Sequence, residues 1–113
     1  MDVTKWKTQL LKGAAELAVL SLLAGRDRFG LEILESISAA GGLGISEGSI
    51  YPLLNRLQRE GKIVSRWVEL PEASHPRKYY RLTGDGTTLL QKMKTEWKDF
   101  STSLNRLLDQ EDR

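Results

Sequence analysis

The apolar residues of this chain recur at two periods, and the change from one to the other falls at Gly61. From Val3 to Ala24 the chain is rich in Ala and Leu, and between Leu17 and Leu23 it is apolar almost all the way round. A helix of that kind has to be covered on more than one side. In so small a protein one side faces the domain's own core and another a second subunit, with Leu17 and Leu20 as expected contacts. Gly25 stops this helix, and Arg26-Asp27-Arg28 reads as a polar turn. A second helix is predicted over Phe29–Ala40, with Leu31, Leu34 and Ile37 as its buried stripe and Ile33 at the edge. Glu32 and Glu35 on that helix have no acid–base partner nearby and read as solvated face. Gly41-Gly42-Leu43-Gly44 follows a helix rather than a strand, which makes it a flexible connector and not a phosphate-binding loop.

The sharpest helical pattern lies between Ser46 and Gly61, SEGSIYPLLNRLQREG. Ile50, Leu53, Leu54 and Leu57 fall on one face, while Pro52, Asn55, Arg56 and Arg59 point the other way, with Ser49 and Tyr51 at the flanks. Ser46 offers an N-cap and Gly61 a C-terminal stop. Beyond Gly61 the period becomes two. Ile63, Ser65, Trp67 and Glu69 face one way and Val64, Arg66, Val68 and Leu70 the other. PEASHP, residues 71–76, makes a turn-rich tip, and Arg77–Leu82 returns as a second strand with Tyr79 and Tyr80 on opposite faces. A lone hairpin is marginal in water, so it must pack on the helices.

The last segment, Gly84 to Arg113, carries a heptad seam: Leu90, Met93, Trp97, Phe100, Leu104 and Leu107, spaced alternately by three and four. The stripe runs on past what a small domain can cover, which points to a partner helix in a homodimer. Trp97 and Phe100 are large for a tight seam. With Met93 they either pack as ordinary interface or line a cavity at the two-fold axis for a flat aromatic or cationic ligand.

Composition sharpens this picture in three places. With 113 residues the chain suits a single domain, divided here into residues 1–83 and a dimerisation helix over 84–113. The net charge of +2 is uninformative, but residues 55–81 carry +4 while the segments on either side are each −1. With no cysteine and one histidine, His75 in the tip, neither a thiolate nucleophile nor a Cys/His zinc site can be built, and no cofactor is expected. The lysines ahead of Leu17–Ala24 look like the start of a signal peptide. Glu16 interrupts the approach, no small-residue cleavage site follows and the run is too short to cross a bilayer, so a mature cytoplasmic protein without a membrane partner is expected.

Three helices and a hairpin, the third helix and the hairpin both basic, describe a mainly α protein with a small antiparallel hairpin: a winged helix-turn-helix. Its third helix would enter the major groove of double-stranded DNA, and its hairpin would touch the flanking backbone or minor groove. The expected DNA-facing residues are Ser46, Ser49, Tyr51, Asn55, Arg56 and Arg59 on the helix and Arg77 and Lys78 on the wing. Asn55 or Arg59 can read base edges, whereas Arg56 and the wing residues suit phosphates. The alternative, a winged helix used only for protein–protein contact, is disfavoured by that basic outer face.

Phe29-Gly30, Glu47-Gly48-Ser49-Ile50-Tyr51-Pro52-Leu53-Leu54, Arg56-Leu57, Glu60-Gly61, Trp67 and Arg77-Lys78-Tyr79-Tyr80-Arg81-Leu82-Thr83 with Gly86 resemble the PadR family of bacterial transcriptional regulators. The resemblance runs from about Leu17 into the final helix. It implies a homodimeric winged-helix repressor of the short branch, with one long C-terminal helix completing the dimer. It also implies a ligand site beside Trp97, because multidrug-sensing members place a tryptophan of the last helix there. One departure is the tip, Ala73-Ser74-His75-Pro76, where family wings usually carry glycines.

Overall fold

The computed structural model describes residues 2–41 and 43–110, which form α1 (Val3–Gly25), β1 (Arg28–Phe29), α2 (Gly30–Ala39), α3 (Glu47–Arg59), β2 (Ile63–Val68), β3 (Arg77–Leu82) and α4 (Gly84–Gln110). The ends of α1 and the C-terminal end of α3 are fixed by hydrogen bonds that satisfy groups a helix terminus leaves free. The Asp2 carboxylate caps α1 by accepting from the Thr4 N–H at 2.9 Å. At the other end Arg28 Nε donates to the Leu22 carbonyl at 3.0 Å, one of the acceptors a helix terminus leaves free. At the end of α3 the Gly61 N–H donates to the Gln58 carbonyl and the Lys62 N–H to the Leu57 carbonyl, at 3.1 and 2.9 Å. That double closure needs a left-handed residue, and Gly61 supplies it with φ +74°.

The sheet has three strands rather than two. β1 pairs antiparallel with β3 (Arg28 opposite Tyr80, Phe29 opposite Tyr79), which puts β3 in the middle in the order β1-β3-β2. The expected polar turn and the start of the second helix therefore both shift: Arg28 and Phe29 are strand, and α2 begins at Gly30. Two residues are too few for a period to register, and the pairing is decided by β3. The α2 stripe is also rotated from expectation. Gly30, Ile33 and Ile37 are buried, Leu34 is half-buried and Leu31 is exposed. Within the connector, Leu43 is half-buried and Gly42 lies outside the described residues, as do residues 111–113 of the expected last helix.

The core is built from Val19, Leu20 and Leu23 of α1, Ile33 and Ile37 of α2, Ile50, Leu54 and Leu57 of α3, Ile63, Tyr80 and Leu90, with Ile45 closing the connector side. Two residues expected at a subunit contact are thereby spent: Leu20 and Leu90 are sealed inside the subunit, at 0% and 1% exposure. Leu17 and Met93 pack half-buried against the same core. The apolar residues that α1 leaves in the open are instead Val3, Trp6 and Leu10, a few turns earlier.

α4 begins at the root of the hairpin, packs its first turns on α1 and then leaves the domain. Its 27 residues make a rod of about 40 Å, which gives the molecule its 60 × 31 × 21 Å outline. The radius of gyration, 16.4 Å, exceeds the roughly 13 Å of a compact chain this long. Along α4 the seam changes from covered to open: beyond Met93, Trp97, Phe100, Leu104, Leu107 and Leu108 are all exposed.

The first turn of α4 is pressed against the backbone. A Cβ on Gly86 would sit 2.0 Å from the Lys62 carbonyl oxygen, whereas one on Gly84 would meet nothing within 4 Å. Gly86→Ala is expected to cost about 3 kcal/mol in denaturant unfolding, because the obstacle is main chain and cannot rotate away. Gly84→Ala should be neutral or slightly stabilising; equal midpoints for the two variants would refute this close approach.

Candidate nucleic-acid interface

α3 presents to solvent what its amphipathic pattern leaves over. With Ile50, Leu54 and Leu57 in the core, the exposed side carries Ser46, Ser49, Tyr51, Pro52, Asn55, Gln58 and Arg59. Ser46 occupies the N-cap position, but its hydroxyl does not cap. It shares a hydrogen bond with the Ser49 hydroxyl at 3.3 Å, while the Ser46 carbonyl accepts from the Ser49 and Ile50 N–H groups. Both serine hydroxyls thus stay on the surface. The Cε1 edge of the Tyr51 ring sits against Gly30, where a Cβ would come within 2.5 Å of it, so the ring's place depends on a glycine at the start of α2.

The six expected helix residues do not form one patch. Arg56 turns to the α1 side, where its guanidinium donates to Glu16 at 3.3 Å and to Glu60 at 3.1 Å. Arg59 is exposed and, among the described residues, makes no ion pair. Asn55, Gln58 and Arg59 of α3 and Lys78 of β3 line an open cleft of about 420 Å³ between helix and wing. A larger depression of about 800 Å³ beside it reaches Tyr51, Trp67, the wing tip and the start of α2. Gln58 was not among the residues expected here. It accepts from the Ser65 hydroxyl at 3.0 Å and ties the helix to the wing.

The two expected wing cations separate as well. Strand alternation sends Arg77 and Lys78 to opposite faces. Lys78 lies opposite Trp67 on the face turned to α3, its ammonium 5.9 Å from the Trp67 ring and 5.7 Å from that of Tyr80. Arg77 stacks over Phe29 at 4.5 Å on the outer face, and Phe29 meets Tyr79 edge-on at 5.5 Å. Tyr80 packs inward, and its burial pushes the phenol pKa up.

Asp27, read as part of a turn, organises that outer face. Its carboxylate accepts from Arg81 at 3.0–3.2 Å and from Arg66 at 3.3 Å. The Arg81 guanidinium, then Arg66, holds the Asp27 carboxyl below its usual range. Arg26 does the same for Glu32. Ion pairs this exposed add little to stability; their effect here is to remove Arg66, Arg81 and Arg56 from the pool of free cations.

An amphipathic third helix with a polar face, a wing rooted beside it and, among the described residues, unpaired cations in the cleft between them make up the arrangement with which winged-helix proteins approach DNA. A model of the transcriptional regulator PadR-like family matches residues 19–92, which takes in the core, the cleft and the base of α4. The chain belongs to the PadR-like family. Among solved structures it is similar to a PadR-like transcriptional regulator of Bacillus cereus, 36% identical with a TM-score of 0.79, covering 88% of this chain and 96% of that one. It is also similar to a PadR family transcriptional regulator of Eggerthella lenta, 30% identical with a TM-score of 0.82, covering 94% and 91%. A PadR-like transcription factor of Bacteroides fragilis is 33% identical with a TM-score of 0.74, covering 91% and 98%. This PadR-like chain is therefore a DNA-binding transcriptional regulator with a winged-helix fold and not an enzyme. Among the described residues, no helix is long and apolar enough to cross a membrane.

Proposed function

We propose that two copies of this chain pair through α4 and act in the cytoplasm as a repressor, each copy reading half of a pseudo-palindromic operator. The observation that carries the pairing is the open stripe on α4: Trp97, Phe100 and Leu107 are 50%, 56% and 62% exposed on a helix that has already left its own domain. Apolar groups in a continuous row of this length mark an interaction surface. Val3, Trp6 and Leu10 of α1 add a second open stripe. A two-fold partner matches both, because an isologous contact presents the same helices from each side.

On DNA, Asn55 and Arg59 are the base-reading residues of α3, with Ser46, Ser49 and Tyr51 placed for backbone contact. Lys78 serves the wing. Arg56, held by two carboxylates, and Arg77, turned to the outer face, are secondary. Duplexes selected by the protein from a random pool should contain inverted half-sites about one helical turn apart or a multiple of it. Arg59→Ala should cost about 1–3 kcal/mol and relax the selected sequence, with little change in the log–log salt slope, because a base-edge contact neutralises no phosphate. Arg56→Ala should leave the slope nearly unchanged. Selection of no sequence, with a slope near zero, would sink the reading.

Leu104→Asp would place two carboxylates across the seam, where an unpaired charge is costly. The variant should sediment as a monomer and lose operator binding, and a stable Leu104→Asp dimer would put the subunit contact elsewhere.

Trp97 is the residue through which a ligand would act. Its ring stacks on Phe100 with centroids 6.1 Å apart and planes 30° apart. A flat aromatic or cationic inducer held between two such pairs would gain stacking and cation–π energy. It would release DNA only by favouring a dimer whose reading helices are wrongly spaced. Compounds that quench tryptophan fluorescence in the wild type and not in Trp97→Ala should weaken operator binding about 5–150-fold. If such compounds leave operator affinity unchanged, Trp97 is interface packing alone.

A further inference from the structure

Trp67 is 68% exposed, the most open of the large apolar side chains among the described residues. A single exposed indole is ordinary on a protein surface; what makes Trp67 informative is its place beside the cations and the depression next to α3. Ile63, Ser65 and Trp67 share one face of the hairpin with their partners Leu82, Tyr80 and Lys78. The inner end of this face is core, since Ile63 and Tyr80 are buried. Its middle is fastened to α3 through the Ser65–Gln58 hydrogen bond. Trp67 is the next residue outward, about 13 Å beyond Ile63 at roughly 3.3 Å per residue. It therefore continues the face that looks at α3, beside the depression that Tyr51 and Asn55 also line.

A second subunit is not the natural cover. α4 departs from the root of the hairpin at Gly84, whereas Trp67 sits opposite Lys78, one pair from the distal end. The charges nearby favour a polyanion: Arg59 and Lys78 border the adjoining cleft, and neither is in an ion pair among the described residues. The tip itself, with Pro71 and Pro76 and no glycine, has two fewer backbone donors to offer a groove.

Resting on the DNA-binding reading above, we propose that Trp67 is the wing's principal DNA contact. Its indole lies against the deoxyribose wall of the minor groove that flanks the major groove entered by α3, and Lys78 holds the adjoining phosphate. Apolar side chains serve minor-groove contacts elsewhere because sugars present C–H surface there and bases give little hydrogen-bond information.

The test uses the full chain labelled with fluorotryptophan. Its three fluorine resonances, from Trp6, Trp67 and Trp97, are assigned by single Trp→Phe substitutions. The probes are a duplex selected by the protein and the same duplex with its flanking base pairs trimmed, with binding followed independently by anisotropy. The Trp67 resonance should move on the longer duplex and stay at its free position on the trimmed one. Trp67→Ala should lose about tenfold in affinity for the longer duplex alone, and Lys78→Ala should lower the salt slope by about one. Because Trp67 contributes little to the core, both variants should keep the wild-type unfolding midpoint. A bound longer duplex that leaves the Trp67 resonance unmoved, or a Trp67→Ala variant that binds it as tightly as wild type, overturns the assignment. A shift that persists on the trimmed duplex overturns the minor-groove placement, since it puts the indole over the groove that α3 reads. Failure to bind any duplex would overturn the DNA-binding reading itself, and this assignment with it.

Discussion

The carbonyl of Lys62 is the point on which the reading head depends. Gly61 ends α3 in a left-handed turn and delivers Lys62 into the root of the wing. There the Lys62 carbonyl accepts from the Thr83 N–H at 3.0 Å, and the Thr83 hydroxyl lies within 3.0 Å of it and 2.6 Å of the Gly61 carbonyl. The same hydroxyl accepts from the Gly86 N–H at 3.0 Å, which caps the start of α4. Gly86 closes the stack by admitting that carbonyl where a side chain would stand. Recognition helix, wing and outgoing helix therefore share one set of hydrogen bonds, and none of the three can turn without straining the others.

This joint gives the proposed dimer its mechanics. A seam formed by the distal part of α4 sets the separation of two reading heads only if α4 is stiff and its base is fixed to α3. The first condition is met by an uninterrupted helix of 27 residues. The second is met by the Thr83 and Gly86 contacts rather than by the length of any linker. A ligand at Trp97 would work through the same rod, so release of DNA and assembly of the dimer would be two readouts of one geometry.

Much of this was legible in the sequence, and what was not has physical causes. The amphipathic spacing of Ile50, Leu54 and Leu57 and the alternation after Gly61 reported α3 and the wing because each is long enough for a period to show. β1 was invisible because two residues have no period, and its existence depends on β3. The α2 stripe came out rotated by a residue or two because four apolar residues, Leu31, Ile33, Leu34 and Ile37, permit more than one face, and packing on α1 and α3 chose Ile33 over Leu31. Leu20 and Leu90 have the same chemistry as Leu10 and Leu104; only the tertiary fold decides which pair is covered. Charge was the most misleading signal. Along the chain the basic excess sits at residues 55–81, yet Asp27 and Glu16, both outside that segment, engage three of its arginines. Among the described residues, the cations left without an ion pair include Arg59 and Lys78.

The most direct test is a distance. The chain has no cysteine, so Glu35→Cys on the exposed side of α2 offers one spin-label site per subunit in the same rigid unit as α3. Pulsed dipolar spectroscopy on the free protein should give a single narrow inter-label distribution that persists when a selected duplex binds. Thr83→Val, which removes the hydroxyl from the joint, should broaden that distribution while leaving the dimer intact. A labelled protein with no dipolar coupling, or a Thr83→Val variant with a distribution as narrow as wild type, would contradict the account.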